Sequence, residues 1–484
     1  MGNGKEVVTP TKEESRIIEE PSRDSSFVGM TFKRLFGIWN FFIWNLSLMN
    51  SFGNIFRVSI FGESHGPLVG VSIDGCPAGL SLRPEDFETD IERRKGGMQK
   101  GTTPRKEDDF PLLQNGVFRQ HTTGAPLTIL FENKNTRSGD YEKQRSVPRP
   151  GHADWVADKK YGGFEDFRGG GHFSGRLTVC LVGAGVVAKK LLKHLPGGKN
   201  IEVIGTITEI GGEKDIEAGL QKAIEQKDSV GGIVECRVTG LPVGLGEPFW
   251  DSVESLISHA AFAIPAVRGI EFGTGFEAAR MFGVEHNDPI EDAGGRTRTN
   301  HSGGVVGGIT NGNELVFRIA IKPTSSTPKE QVTLNWETGE QETFSVKGRH
   351  DLCIALRVPP VLEAVTAIVL ADLALVTGKL GRVVEEPVFH ITTAEAIKKA
   401  EEKGFLEAAS LQTEWFIHCS EAWQLPGVID RFYKDVEGLK VVEIAPSKLT
   451  SKLVYEKAAD VEDWFPHVYG AINSEAIRNV VHNP

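Results

Sequence analysis

The residues best suited to chemistry lie in four loops that glycine or proline interrupts. The first, Phe61 to Gly66, follows a strand-like run and contains Ser64 and His65. The other three are Arg149-Pro150-Gly151-His152-Ala153-Asp154, Lys322-Pro323-Thr324-Ser325-Ser326-Thr327 and Gly348-Arg349-His350-Asp351. Together they supply imidazoles, cations, hydroxyl groups and a carboxylate. This set of groups indicates acid–base chemistry on a small polyanion.

His65 and His152 are the first candidates for proton transfer, because imidazole titrates near neutral pH. A structural hydrogen bond is the alternative for either histidine taken alone. Asp351 follows two basic residues, so its carboxylate should stay ionised and could act as a base. A plain surface ion pair is the alternative for Asp351.

Two further segments are suited to anions. Lys322 to Thr327 offers an ammonium and four hydroxyls directly after a strand-like run, as phosphate-binding loops do, although a serine-rich turn would look similar. Arg168 and Arg176 flank the glycine run Gly169 to Gly171, and arginine suits bidentate binding of carboxylate or phosphate. The clustered glycines indicate backbone that must approach a ligand or another segment closely.

Gly183 to Ala188 has the glycine spacing of a dinucleotide-binding turn. The acidic residue downstream, Glu202, precedes its strand instead of ending it, so the βαβ frame is missing. A closely packed helix of small residues explains the segment better.

The composition is that of an ordinary globular protein. The chain has 484 residues, a net charge of −11 and 25% charged residues. This charge argues against a nucleic-acid partner, while local basic residues suit a small anionic substrate. The five cysteines are scattered, which predicts no metal centre and a cytoplasmic location. We expect no membrane partner.

The order of the elements predicts an α+β fold. Strands are expected at 55–61, 68–74, 127–132, 233–238 and 315–321, and helices at 84–95, 251–263 and 361–377, with a capping box from Asp251 to Glu254. Residues 1–48 are expected to be disordered or an upstream extension, with Met49 as the start. We then expect a catalytic domain at 49–378, a linker at 379–387 and a small α+β domain at 388–484.

Taken together, these motifs resemble the chorismate synthase family over residues 51–378. The resemblance implies a β-α-β sandwich of antiparallel sheets and helices, and typically a homotetramer. It implies the anti-1,4-elimination of phosphate from 5-enolpyruvylshikimate 3-phosphate to give chorismate. It also implies a requirement for reduced FMN, with NADPH as a possible reductant.

Roles for individual residues follow from the same resemblance. His65 would protonate the reduced flavin, His152 would assist the leaving phosphate, and Asp351 would help to remove the ring proton. The implied substrate-binding residues are Ser64, Arg94, Lys100, Arg149, Ser174, Arg176 and Arg349. The implied flavin-binding residues are His172, Phe173, Ser174, Ala266, Gly307, Lys322, Pro323, Thr324, Ser325, Ser326 and Arg349.

The sequence departs from the family pattern at several positions. His172 and Phe173 replace a more common Arg-Ser pair at positions that contact the flavin in the family. Lys100 replaces a frequent arginine, Pro265 stands where a polar residue is common, and Lys95-Gly96-Gly97 replaces Arg-Pro-Gly. The proposed catalytic residues all remain.

The C-terminal domain resembles a small uncharacterised bacterial family with an ADP-ribosyltransferase-like fold. Its histidines, His390, His418 and His467, could line a nucleotide pocket, bind a metal or be structural. The structural role is the favoured interpretation, and we assign the domain no activity.

Overall fold

The computed structural model describes residues 50–97, 100–103, 105, 107–136, 145–195, 200–346, 350–380, 386–434, 436, 438–457 and 463–482. The predicted N-terminal extension, 1–48, lies outside these residues.

The strands of the described residues form two larger sheets in the N-terminal part and several small sheets in both parts of the chain. They are β1 (Ser51–Phe52), β2 (Arg57–Gly62), β3 (Leu68–Asp74), β4 (Leu112–Asn115), β5 (Val117–Phe118), β6 (His121–Thr122), β7 (Leu127–Glu132), β8 (Glu202–Ile210), β9 (Gly232–Thr239), β10 (Val267–Phe272), β11 (Val305–Val306), β12 (Ile309–Thr310), β13 (Leu315–Ile321), β14 (Gln331–Leu334), β15 (Gln341–Phe344), β16 (Val388–Thr393), β17 (Phe405–Leu406), β18 (Ile417–His418), β19 (Leu439–Ile444), β20 (Lys452–Lys457), β21 (Trp464–Tyr469), β22 (Ile472–Asn473) and β23 (Ile477–His482).

The α-helices are α1 (Glu88–Arg94), α2 (Asp154–Tyr161), α3 (Thr178–Leu192), α4 (Ile216–Gln226), α5 (Val253–Phe262), α6 (Gly283–His286), α7 (Pro359–Val376), α8 (Ala394–Lys403), α9 (Ser410–Thr413) and α10 (Leu425–Phe432). Short 3-10 segments occupy Pro84–Phe87, Arg168–Phe173, Gly175–Leu177, Phe249–Asp251, Gly275–Arg280, Ile354–Arg357, Pro446–Lys448 and Ser474–Ala476.

Two antiparallel sheets form the outer layers of the N-terminal part. One has the strand order β1-β2-β3-β7-β4 and the other the order β10-β13-β9-β8. In β3 the side chains of Val69, Val71 and Ile73 are fully buried, as the two-residue period of a strand with one covered face requires. The predicted α+β sandwich is therefore confirmed.

Helices α3 and α7 lie between the two sheets, with α3 against β3 and β7 and α7 against β8 and β9. Gly185 lies where the two helices cross, because a Cβ atom there would stand 2.2 Å from the Cβ of Ala364. Gly183 and Gly185 are thus buried in the middle of a helix, far from the helix start that a dinucleotide-binding turn needs. The interpretation as a closely packed helix of small residues is confirmed.

Buried carboxylates join helix α7 to its neighbours. Asp372 accepts hydrogen bonds from the backbone N–H groups of Asn54, Ile55 and Phe56 at 2.7 to 2.8 Å. Glu363 accepts two from Arg93 at 2.6 and 2.8 Å, and others from Lys189 and the backbone of Gly205. The contact between Glu363 and Arg93 ties α1, which leads into the functional site, to α7.

One expected helix cap was wrong. Ser252 caps α5, its hydroxyl accepting a hydrogen bond from the N–H of Ser255 at 3.1 Å. Asp251 belongs to the preceding 3-10 turn. Serine and aspartate are both good caps, so the sequence alone did not decide between adjacent positions.

Helix α7 is long and apolar enough to cross a membrane by composition alone, with a mean hydropathy of 1.8. It is nevertheless 89% buried inside the protein. Its apolar residues form the centre of the N-terminal core, which explains the composition.

The C-terminal part has hydrophobic clusters of its own, separate from the core that ends at Leu380. It contacts the N-terminal part through Arg83, whose guanidinium lies 3.5 Å from the ring centroid of Tyr455 and 3.9 Å from Glu421. Arg119 also donates a hydrogen bond to the carbonyl of Leu449 at 3.2 Å. Most of the predicted linker lies outside the described residues.

Candidate active site

A cavity of about 600 Å³ opens where the predicted loops converge. Its wall includes His65, His152 and Asp351 together with the Lys322 to Ser326 segment. Its described wall also has more cations than carboxylates: Arg94, Lys95, Arg105, Arg149, Arg176, Lys322 and Arg357 against Glu107, Asp109 and Asp351. Such a wall favours an anionic ligand.

The glycine run Gly169 to Gly171 brings the two imidazoles together. Gly169 has φ 60° and ψ 20°, and a Cβ there would lie 2.2 Å from Cε1 of His65. A Cβ on Gly170 would lie 3.2 Å from Cε1 of His152. Adjacent backbone units therefore contact both rings, and only glycine permits this at Gly169.

His152 is oriented by Asp154 and Arg149. Its Nδ1 lies 2.6 Å from Oδ1 of Asp154 and 3.0 Å from Nη2 of Arg149. Arg149 donates to the same carboxylate from its backbone N–H, Nε and Nη2 at 3.0, 2.8 and 2.7 Å. Burial would raise the pKa of Asp154, but these hydrogen bonds hold it far below its usual value. A permanent anion therefore lies against the His152 ring.

The carboxylate of Asp351 is held by two neighbouring residues. Its Oδ1 accepts from the backbone N–H of Thr103 at 2.8 Å, and its Oδ2 lies 3.1 Å from Nη1 of Arg357. The Nε of Arg357 donates to the carbonyl of Arg94 at 2.9 Å. Arg357 thus fixes the carboxylate to the end of helix α1.

The surroundings of His65 favour the neutral form of its imidazole. Burial lowers its pKa below the usual range, and the Arg105 guanidinium adds to the shift while Asp166 opposes it. Arg105 also contacts Ser64, with Nη1 3.2 Å from the hydroxyl oxygen. A bound anion would offset the Arg105 charge and favour the protonated form.

Arg94 and Arg176 are buried in the wall and share one carboxylate. Arg94 Nη1 lies 3.3 Å from Asp109, and Arg176 forms a short contact with the other carboxylate oxygen. Burial by itself would raise the pKa of Asp109, but the two guanidiniums hold it below its usual value. Arg176 also donates to Asn133 at 2.8 Å. Many of the N–H groups of these two arginines therefore donate to other protein atoms.

The Lys322 to Ser326 segment is tied to the loop that carries His152. Lys322 Nζ donates to the carbonyl of Gly151 at 2.6 Å and to Ser325 Oγ at 2.8 Å. Ser326 accepts from Arg149 at 3.2 Å. Burial lowers the pKa of Lys322, and the Arg268 charge adds to the effect.

Two features of this wall fit a flavin mononucleotide. The hydroxyl of Thr324 is buried and has no hydrogen-bond partner, so a ligand could satisfy it. Ala266 has φ 77°, a strained conformation of the kind found at ligand sites, and its carbonyl accepts from the N–H of Lys322. Hydroxyls, an ammonium and exposed backbone together can bind a phosphate-bearing ring.

The remaining residues on the cavity wall have mainly local partners. The His172 ring contacts the carbonyl of Gly62 through Nδ1 at 3.0 Å. Phe173 is 37% exposed and presents an aromatic ring to the cavity. Ser174 accepts from the N–H of Arg176 and caps the next turn. Pro265 and Pro323 also line the wall.

Two of the predicted residues do not line this cavity, and a third is not described by the structure. Lys100 is exposed and lies 3.3 Å from the side-chain oxygen of Gln221. Gly307 is at the turn between β11 and β12. Arg349 lies outside the described residues. Their roles stay predictions.

The structure adds Arg357, Asp154 and His350 to the residues assigned to the site. It also adds Arg105, which contacts Ser64 and adds to the effect of burial in lowering the pKa of His65. The neighbouring Asp351 and His152 could have drawn attention to His350 and Asp154. No sequence signal singled out Arg357, because its contact with Arg94 spans 263 positions.

The C-terminal histidines have protein partners. His390 is buried, its Nδ1 lies 2.8 Å from the carbonyl of His418, and burial lowers its pKa to about 4. His418 pairs with Glu414 at 2.9 Å, and His467 with Glu456 at 2.7 Å. Across the described part of the chain, no group of three or more potential ligands is arranged to hold a metal ion. These contacts favour the structural interpretation.

Comparison with known proteins agrees with this division of the chain. The family model described as chorismate synthase matches residues 56–375, and one for a protein family of unknown function, DUF952, matches residues 391–480. A chorismate synthase of Chitinophaga pinensis is 69% identical over 335 residues, covering 69% of this chain and 99% of the relative. One from Dehalococcoides mccartyi is 45% identical over 368 residues, covering 70% and 100%.

A solved structure titled as chorismate synthase has a similar fold. It is 26% identical, has a TM-score of 0.51, and the match covers 67% of this chain and 92% of that one. The chain belongs to the chorismate synthase family, and it is a lyase with a separate C-terminal DUF952 domain.

Proposed function

We propose that this chain converts 5-enolpyruvylshikimate 3-phosphate to chorismate by anti-1,4-elimination of phosphate, with reduced FMN as cofactor. The observation that carries the proposal is the convergence of His65, His152 and Asp351 on one electropositive cavity. A substrate with two carboxylates and a phosphate requires such a wall of cations. Reduced FMN, when bound, would supply the electron-rich ring on which the family's elimination depends.

The elimination breaks the allylic C–O bond to phosphate and removes one ring proton. His152 would donate a proton to the departing phosphate, and its contact with Asp154 would keep the ring oriented for this transfer. Asp351 is the carboxylate placed to assist removal of the ring proton, and Thr103 and Arg357 keep it oriented. His65 would hold a proton on the flavin side of the cavity.

The flavin would be held by the Lys322 to Ser326 segment, Ala266 and the strip from His172 to Ser174. The partnerless hydroxyl of Thr324 supports this assignment. His172 and Phe173 would contribute an imidazole and an aromatic face in place of the more common Arg-Ser pair. Roles for Arg349 and Gly307 are proposed from the family resemblance.

We also propose that the protein is a cytoplasmic homotetramer. All five cysteines are free and buried, as in a reducing compartment. Large apolar side chains are strongly exposed in the segment from 249 to 290, including Phe249, Trp250, Phe276 and Val284 at 78 to 91%. Such exposure marks a protein interface, which sedimentation equilibrium can test.

The decisive experiment supplies purified protein with substrate and reduced FMN without oxygen. Phosphate release that collapses in His65→Ala and in Asp351→Ala would support the lyase. Hydride transfer to a nicotinamide without flavin would support a dehydrogenase, and flavin binding without turnover an inactive scaffold. A parallel assay with NADPH and oxidised FMN asks whether the chain reduces its own flavin.

A further inference from the structure

His350 is a cavity residue with an unused hydrogen-bonding atom. It precedes Asp351, lines the cavity wall and has its Nε2 atom buried without a partner. Leaving a buried polar atom unpaired destabilises the folded state, so such atoms are rare in folded proteins. An unpaired atom on the wall of a binding cavity indicates that its partner arrives with the ligand.

The surroundings of His350 define the chemistry of that partner. Burial lowers the pKa of His350 to about 4, with the Arg149 charge adding to the shift and Asp351 opposing it. The imidazole is therefore neutral at pH 7, with one N–H donor and one acceptor. Arg149 and His152 are its electrostatic neighbours, and the wall as a whole carries excess positive charge. These surroundings favour an anionic ligand group, which would accept a hydrogen bond from the imidazole N–H.

We propose that neutral His350 donates its Nε2–H to a phosphate oxygen of the bound substrate, beside Arg149 and His152. This inference rests on the proposed function, because it takes the substrate phosphate as the anion. A neutral donor binds the phosphate before and after the C–O bond breaks without competing for the proton that His152 supplies. His350 is thus a ligand-binding residue and His152 the acid.

A phosphate also occurs in FMN, so the test separates the two sources. Equilibrium dialysis without flavin measures binding of 5-enolpyruvylshikimate 3-phosphate and of inorganic phosphate to wild type, His350→Leu and His350→Gln. We expect His350→Leu to weaken binding of both by about tenfold or more, as for a hydrogen bond to a charged group. Glutamine carries an amide N–H about as far from the backbone as Nε2 and should restore most of the affinity. FMN affinity should change less than twofold.

Thermal unfolding of each variant checks that the fold is intact, and His350→Gln keeps the test valid if His350→Leu does not fold. Equal binding of substrate and inorganic phosphate by folded His350→Leu and wild type would overturn the inference. If His350→Leu weakened the binding of FMN alone and left riboflavin binding unchanged, His350 would contact the cofactor phosphate. That result would also overturn the inference. Wild type that binds phosphate but never turns over substrate would refute the proposed function instead.

Discussion

The contact between Gly169 and His65 gives a sharp prediction, because the chain contains a matched control. Gly169 has φ 60° and ψ 20°, while Gly162, at the end of α2, has φ 65° and ψ 29°. Alanine in this left-handed region costs about 1–2 kcal/mol at either site. The two sites differ in what the new methyl group meets.

At Gly162 the nearest atom would be Cδ2 of Phe164 at 3.9 Å, an ordinary contact. At Gly169 the methyl group would lie 2.2 Å from Cε1 of His65, well inside the usual carbon–carbon separation of about 3.5 Å. The imidazole must therefore move by roughly 1 Å or more, a displacement that can cost about 100-fold in rate.

The assay is steady-state phosphate release with reduced FMN, combined with thermal unfolding followed by circular dichroism. We expect Gly162→Ala and Gly169→Ala each to lose about 1–2 kcal/mol of stability from backbone strain. Gly162→Ala should keep its activity within about twofold, whereas folded Gly169→Ala should lose about 100-fold. Equal activity of the two variants would refute the argument that the glycine run positions His65.

Three further predictions concern proton transfer and domain independence. Asp154→Asn removes the carboxylate that contacts and orients His152, and the loss of a charge-assisted hydrogen bond worth about 1.5–3 kcal/mol should lower kcat by about 10- to 100-fold; unchanged kcat would contradict the assigned role. By NMR titration, with His65→Asn identifying the signal, His65 should lose its proton at a pH below 6.5. Arg105→Gln should move that midpoint to higher pH, and a downward move would be the opposite of what the charge predicts. Truncation after Leu380 should leave turnover within about threefold, because the chorismate synthase family model matches residues 56–375 and a match of 335 residues covers 99% of a relative. A folded truncate without turnover would mean that the domains cooperate.

The sequence predicted the strands well where burial alternates. The predicted strands at 68–74, 127–132 and 315–321 agree with β3, β7 and β13 in both bounds. In each strand, alternate residues face the core, and these residues are apolar and buried. The alternation in the sequence therefore follows directly from the burial of one face of the sheet. Helix α3 was identified from small residues, and its crossing with α7 explains why they are small.

The site was only partly predictable, because its decisive contacts join distant positions. Clustered glycines predicted a close backbone approach, and the structure identifies the neighbours as His65 and His152. Nothing in the sequence indicated that Asp351 is held by Arg357 and Thr103, or that Asp109 is shared by two arginines. Such contacts depend on how the loops converge, which no local pattern encodes.

We propose above all that flavin and substrate bind together in one cavity. A crystal structure of the protein with FMN and 5-enolpyruvylshikimate 3-phosphate bound tests it most directly. We predict that both ligands occupy this cavity, with the flavin against the Lys322 to Ser326 segment and the substrate phosphate beside His152. Electron density for the flavin or the substrate at a separate site, with His65, His152 and Asp351 contacting neither, would contradict the claim.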